Sequence, residues 1–132
     1  MIYCYQTFEI NTMNNSKIKQ FRETRERLNE IVMGYAQLET KRFFSLDSQV
    51  YRDGALPAKM KELIGLVGSM VLRCDDCITY HIIRCHEEGV TSEELEEALS
   101  ISLIIGGSIT IPHLRRAFET WDELMKQKVY TV

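Results

Sequence analysis

Residues 57–81, PAKMKELIGLVGSMVLRCDDCITYH, decide how the rest of the chain is read. Pro57 suits the first turn of a helix, where its missing N–H costs nothing. Met60, Leu63, Ile64, Leu66, Val67, Met70, Val71 and Leu72 follow. From Leu63 onward that helix is apolar on nearly every side, which predicts a central position. Gly65, Gly68 and Ser69 weaken its intrinsic propensity but let a neighbour approach closely. A second helix is expected to carry Cys74 to Glu88 and to stop at Gly89, since glycine tolerates the left-handed conformation of a helix end.

Working outward, Ile18, Phe21, Leu28, Ile31, Val32 and Tyr35 recur at spacings of three, four and seven, the period of an amphipathic helix. Asn14, Asn15 and Ser16 offer caps before it. A shorter helix is expected from Thr40 to Tyr51, ended by Arg52-Asp53-Gly54. Thr91 and Glu94 form a capping box that starts another helix, carrying Leu95, Ala98, Leu99, Ser102, Leu103 and Ile105 and interrupted at Gly106-Gly107. Pro112 opens the last, His113 to Lys126. The only strand signal is the short alternation Ser108–Ile111. The expectation is an all-α compact bundle of about six helices in a single domain spanning 1–132, with the N-terminal helices in about 16–52. The Leu103–Ile111 run reads as core or as a buried face between subunits.

The chain has 132 residues, with 16 Lys and Arg against 19 Asp and Glu, a formal charge of −3. A weakly acidic chain is poorly suited to nucleic acid or an anionic membrane surface. The most apolar run, Ala98–Ile111, is too short to span a bilayer. Met1–Asn15 lacks the basic start and long apolar stretch of a signal peptide. The expected compartment is the cytoplasm, where thiols stay reduced unless they have work to do.

Three of the four cysteines, Cys74, Cys77 and Cys85, crowd into one short window, with Cys4 far away. A close Cys-x-x-Cys pair in such a protein points to redox chemistry or a metal site. Cys77 and His81 are four apart and Cys74 and His81 seven apart, so all three line one stripe if the helix begins at or just before Cys74. Two thiols at that spacing can close a small disulfide ring. A neutral imidazole one turn away can accept a thiol proton, and an imidazolium there favours the thiolate. A helix N-terminus and Arg73 also favour the thiolate, whereas Asp75 and Asp76 oppose it by like charge, unless they face solvent. Zinc is the rival, but Cys74 and Cys85 would lie roughly 16 Å apart along one helix and cannot share an ion. A catalytic three-ligand site with His113 as a distant ligand stays open, and the expectation is no bound metal and no cofactor.

Glu62 precedes Cys74 by twelve residues (74 − 62 = 12). A carboxyl group in apolar surroundings can shuttle protons. Lys59, Lys61 and the helix dipole supply an ordinary structural reason for it, and composition alone favours that reason. Cys85 reads as a small buried hydrophobe. His86, beside Glu87 and Glu88, reads as a solvated helix end, and His113 as structural. Arg115 and Arg116 read as partners in ion pairs, and Trp121 as packing.

Glu62, Cys74-x-x-Cys77 and His81 together resemble the core of the AhpD-like alkylhydroperoxidases, within the carboxymuconolactone decarboxylase family. The flanks agree over about residues 55–117: Leu56-Pro57, Gly89-Val90-Thr91, Glu97-Ala98-Leu99 and Gly106-Gly107. AhpD proteins often carry a histidine immediately before the second cysteine, where this chain has Asp76. Its first 53 residues are also shorter than in the longer AhpD proteins, so it looks like a small single-core member.

The resemblance implies an all-helical homo-trimer or homo-hexamer. It implies that Cys77, activated by His81 and Glu62, attacks a hydroperoxide and becomes a sulfenic acid. Cys74 then condenses with it to a disulfide. It also implies an external dithiol, such as a lipoyl group, or a redox protein as electron donor. It thereby gives Glu62 a catalytic role. Two other readings stand beside it. One is a cofactor-free lyase or decarboxylase acting on a small lactone or carboxylic acid through His81 and Glu62. The other is a non-enzymatic redox-sensing oligomer.

Overall fold

Ser16 opens the described part of the chain as a helix cap, its hydroxyl accepting from the Lys19 N–H at 3.3 Å. The computed structural model describes residues 16–129, with the side chains of 16–127. Cys4, Asn14, Asn15 and the segment read for a leader lie outside the described residues. Six α-helices follow in order: α1 Lys17–Tyr35, α2 Leu38–Val50, α3 Ala58–Val71, α4 Asp75–Glu87, α5 Ser92–Gly106 and α6 Ile111–Val129. A single 3₁₀ turn, Ser108–Thr110, joins α5 to α6 where the sequence alternation had suggested a strand. No strand occurs among the described residues, and the fold is all-α. None of the described helices is long and apolar enough to cross a membrane.

The chain divides into two compact units at Asp47–Ser48. The first contains α1 and most of α2. In it, Leu28, Ile31, Val32 and Tyr35 of the α1 stripe and Phe43 of α2 are exposed, whereas Ile18 at the start of the stripe is buried. The second unit holds the end of α2 and everything after it.

In the second unit, α3 packs against both α4 and α5, and α4 packs against α6. Leu66 and Met70 of α3, Ile82 of α4, and Leu95 and Leu99 of α5 are buried, with Trp121 and Leu124 of α6 closing one side. Each fully buried side chain of this size contributes about 1.5–3 kcal/mol relative to exposure. The central position expected of α3 is found, though only for part of its circumference, since Met60 and Ile64 face outward.

The Leu103–Ile111 run supplies no buried apolar side chain. Ile104 is 88% exposed, and Ile101, Ile105 and Ile109 are also on the surface. The inward positions are Ser102 and Thr110, whose hydroxyls donate to the Ala98 and Gly107 carbonyls. Small residues here let the end of α5 lie close to α3. A Cβ on Gly106 would stand 2.5 Å from Thr110 Cγ2 and 3.8 Å from Val71 Cα.

The junctions are built from local chemistry. Pro57 occupies the N-cap of α3, one position before the expected first turn, and Asp53 Oδ1 accepts from the Ala58 N–H at 2.7 Å. The Thr91–Glu94 capping box has both reciprocal hydrogen bonds. Gly89, at φ +77°, ends α4 with its N–H on the His86 carbonyl and that of Val90 on the Cys85 carbonyl. The end of α3 uses the same double-bonded turn without a glycine. Arg73 takes the left-handed position at φ 58°, donating to Met70, and Cys74 donates to Ser69. That conformation costs an L-residue about 1–2 kcal/mol.

Candidate active site

Cys74 sits where two elements meet. It is the last residue of the turn that ends α3 and also the N-cap of α4, where its sulfur accepts from the Cys77 N–H at 3.3 Å. Cys74 and Cys77 are joined by a disulfide, with Cα atoms 5.3 Å apart. The bridge thus lies at a helix N-terminus, a place that stabilises a thiolate once the bond opens. Cys77 is exposed and Cys74 half-buried, so a second thiol can reach the bridge from solvent.

One turn along α4, His81 is buried against α3. Its Nδ1 lies 2.8 Å from Glu62 Oε2, and Glu62 itself is only 2% exposed. A carboxylate only accepts, so Nδ1–H donates to Glu62 and the ring is held in that tautomer. The second carboxylate oxygen of Glu62 faces Arg84 Nε at 3.4 Å. Arg84 also binds Glu87 and Glu88. Partial burial works against the Arg84 charge, but the hydrogen bond and charge of Glu87, with Glu62 and Glu88, outweigh it and hold the guanidinium above its ordinary range. The buried carboxylate therefore has a cation on one side and an imidazole on the other, which offsets the cost of its desolvation.

The other ring nitrogen, Nε2, lies 3.4 Å from the Tyr51 hydroxyl, with the two rings 5.1 Å apart. Gly65 makes room for this pair. A Cβ there would fall 2.7 Å from His81 Cε1 and 2.7 Å from the Tyr51 oxygen. The close approach expected of the α3 glycines is therefore real at Gly65. At Gly68 a Cβ would meet nothing within 4 Å.

The acidic pair after Cys74 splits. Asp75 turns toward α6, with Oδ1 2.7 Å from His113 Nδ1 and Oδ2 3.0 Å from Arg116. Partial burial opposes its ionisation, but the hydrogen bonds from His113 and then Arg116 outweigh that and hold its carboxyl below its ordinary value. Much of the Asp75 charge is thus already compensated beside the sulfurs. Asp76 is exposed.

The structure brings Glu62 and His81 into contact and places both cysteines on the N-terminal turn of the helix that carries His81. The lysines near Glu62 pair elsewhere. Lys59 Nζ reaches Glu94 at 2.8 Å, and Lys61 reaches the carbonyls of Val50 and Arg52. Cys85 is fully buried, and burial, then the nearby Glu62 charge, pushes its thiol up to about 12. His86 is not a solvated end, because its ring stands edge-on to Trp121 with centroids 5.7 Å apart. Trp121 is packing, and its Nε1 donates to Ser92 Oγ at 3.0 Å. Among the described residues no three or more His, Cys, Asp or Glu side chains come together to hold a metal ion.

Tyr51 and Arg84 are the site residues that sequence reasoning did not single out. Tyr51 lies just past α2 and meets His81 only through the tertiary fold. Arg84, three residues after His81 and on the same helix face, carried a usable signal in its spacing.

Known proteins match this chain in both sequence and shape. A Thermotoga maritima protein, TM1620, superimposes with a TM-score of 0.84 at 57% identity, covering 85% of this chain and 98% of that one. A second crystal structure of TM1620 gives 0.82 at 56%, and describes a carboxymuconolactone decarboxylase family protein for which involvement in an antioxidative response is suggested. The family protein lpg0406 from Legionella pneumophila gives 0.71 at 28%, covering 82% of this chain and 96% of that one. An uncharacterized Cupriavidus necator protein is 34% identical over 73 residues, 55% of this chain and 65% of its own length, slightly under two thirds. Uncharacterized protein 4 of the cox locus of Paracoccus denitrificans is 30% identical over 82 residues, 62% of this chain and 74% of its own. The sequence profile of one family matches residues 37–120, a span that includes Glu62, both bridged cysteines and His81, and the chain belongs to the carboxymuconolactone decarboxylase family.

Proposed function

We propose that this protein is a thiol–disulfide oxidoreductase that reduces hydroperoxides. The observation that carries the reading is the solvent-accessible Cys74–Cys77 bridge at the start of α4, one turn from the buried His81–Glu62 pair. The antioxidative role suggested for TM1620 supports it.

In the reduced protein, the Cys77 thiol gives up its proton toward His81. The thiolate attacks the distal oxygen of the hydroperoxide. The O–O bond breaks, sulfur is oxidised to a sulfenic acid, and the leaving alkoxide takes a proton to become an alcohol. The Cys74 thiolate then attacks the sulfenic sulfur. Water leaves, and the disulfide forms. An external dithiol returns two electrons and two protons by exchange at the more exposed sulfur, Cys77. Glu62 holds the imidazole by its Nδ1–H and stabilises the imidazolium that forms. Asp75, paired with His113 and Arg116, adds little repulsion to the thiolate.

Self-association fits the exposed side chains of Ile101, Ile104, Ile105 and Ile109 on α5 and the 3₁₀ turn, since exposed apolar groups close in sequence suit an interaction face. We infer a homo-oligomer, a trimer or a hexamer, working in the cytoplasm.

The test is turnover of cumene hydroperoxide with dihydrolipoamide as reductant. Wild-type protein is expected to turn over, and Cys74→Ser and Cys77→Ser are each expected to abolish it. Retained dithiol-dependent turnover in either variant refutes the mechanism. Activity on a small lactone acid that survives loss of both cysteines points instead to acid–base chemistry by His81 and Glu62.

A further inference from the structure

The first turns of α3 hold more than Glu62. Lys61, its neighbour, donates to the carbonyls of Val50 at 2.9 Å and Arg52 at 2.6 Å. These are the residues on either side of Tyr51. Three residues past Glu62, Gly65 leaves the gap into which the Tyr51 hydroxyl and the edge of the His81 ring both fit. Lys61 thus fixes the Tyr51 backbone, Glu62 fixes one edge of the imidazole, and Gly65 lets the two side chains meet.

We propose that Tyr51 is a positioning residue of this site, holding Nε2 of His81 by its hydroxyl while Glu62 holds Nδ1. With Nδ1–H donated to a carboxylate, Nε2 of the neutral ring is an acceptor and the Tyr51 O–H donates to it. The pair then determines which nitrogen carries the proton and where the ring points. The bare nitrogen, Nε2, is the one able to take a proton. Its bond to Tyr51, at 3.4 Å, is the longer of the two and the easier to exchange for a thiol when the disulfide opens. The groups facing the ring are Glu62 and, behind it, Arg84, together with Tyr51 and the edge of the Tyr80 ring. The charged residues of α6 that meet α4 do so at Asp75, two turns away. The catalytic part of the inference rests on the oxidoreductase reading above, whereas the tautomer part does not.

The test uses nitrogen-resolved histidine NMR on the full-length oxidised protein at about pH 8, above the ordinary imidazole range. Wild-type His81 is expected to show a protonated Nδ1 and a bare, hydrogen-bonded Nε2. Tyr51→Phe keeps the ring and removes the donor, and it is expected to move the Nε2 resonance downfield toward that of a free acceptor while Nδ1 stays protonated on Glu62. Lys61→Met, which keeps the hydroxyl but releases the backbone around it, is expected to cause a smaller change in the same direction. Peroxide-driven thiol loss in Tyr51→Phe is expected to slow roughly three- to tenfold, the scale of one neutral hydrogen bond. A His81 spectrum unchanged in Tyr51→Phe overturns the inference whatever the rate. A wild-type protein that loses thiols slowly, yet shows the expected spectral change in Tyr51→Phe, refutes the oxidoreductase reading and leaves the positioning role standing.

Discussion

Replacing Gly65 by alanine separates the demands of the site from those of the helix. In an unconstrained helix interior, Gly→Ala stabilises by roughly 0.5–1 kcal/mol. At Gly65 the new methyl would stand 2.7 Å from His81 Cε1, 2.9 Å from Nε2 and 2.7 Å from the Tyr51 hydroxyl. Ordinary carbon contacts are about 3.5–4.0 Å, so the ring must retreat by roughly 1 Å. It is buried and held by a 2.8 Å bond to Glu62, which that movement breaks or bends. Overpacking of this kind costs about 1–3 kcal/mol, and a weakened buried hydrogen bond adds to it. The net expectation is a loss of roughly 1–3 kcal/mol. Gly68 lies in the same helix, and a Cβ there meets nothing within 4 Å. Gly68→Ala should therefore gain stability by roughly 0.5–1 kcal/mol. Urea unfolding of the two variants should place their midpoints about 1 M or more apart, with the m-value unchanged. Gly65→Ala should also slow thiol loss to peroxide, while Gly68→Ala should not. Equal midpoints and equal rates would show that the His81–Tyr51 contact against α3 is not as described.

Other predictions follow from single features. Asp75 has its carboxyl held below its ordinary value near 3.8, so its stabilisation is complete above that pH and lost as pH falls through the lower folded value. Asp75→Asn should therefore be less stable at neutral pH and show a shallower acid limb in pH-dependent unfolding. Cys85 keeps its proton up to about 12, whereas the unfolded chain releases it near 9, so the group destabilises the fold across that interval as pH rises. Cys85→Ala should flatten the alkaline limb, and iodoacetamide should label Cys85 only after denaturation. Arg73→Gly removes the penalty of a left-handed non-glycine residue and should raise stability by about 1 kcal/mol in urea unfolding.

The helices were legible because their ends are written in local chemistry. The Thr91–Glu94 box, Gly89 and Ser16 each do at short range what their residue types suggest. The closeness of Cys74 and Cys77 was legible for the same reason, but the helix begins only at Asp75, so Cys74 joins it as the N-cap and not from within the stripe. Glu62 was ambiguous because its two partners, His81 and Arg84, belong to the next helix, while the lysines beside it in sequence turn away. Tyr51 was hidden more deeply, because nothing in a residue just past a helix end points to a histidine thirty positions on. Of the two readings of the Leu103–Ile111 run, core within the chain fails because hydrophobicity records apolar area and not direction. On α5, Ser102 points in and Ile104 points out.

The central claim is that the Cys74–Cys77 pair is tuned for peroxide by its place at the start of α4 and by the His81–Glu62 pair one turn on. The direct measurement is the rate at which the fully reduced protein loses thiols to one equivalent of an organic hydroperoxide, compared with free cysteine at the same pH, with the product mapped by mass spectrometry. Loss of two thiols, much faster than free cysteine and mapped to Cys74–Cys77, is the predicted result. Loss no faster than free cysteine, or a product mapped elsewhere, would contradict it.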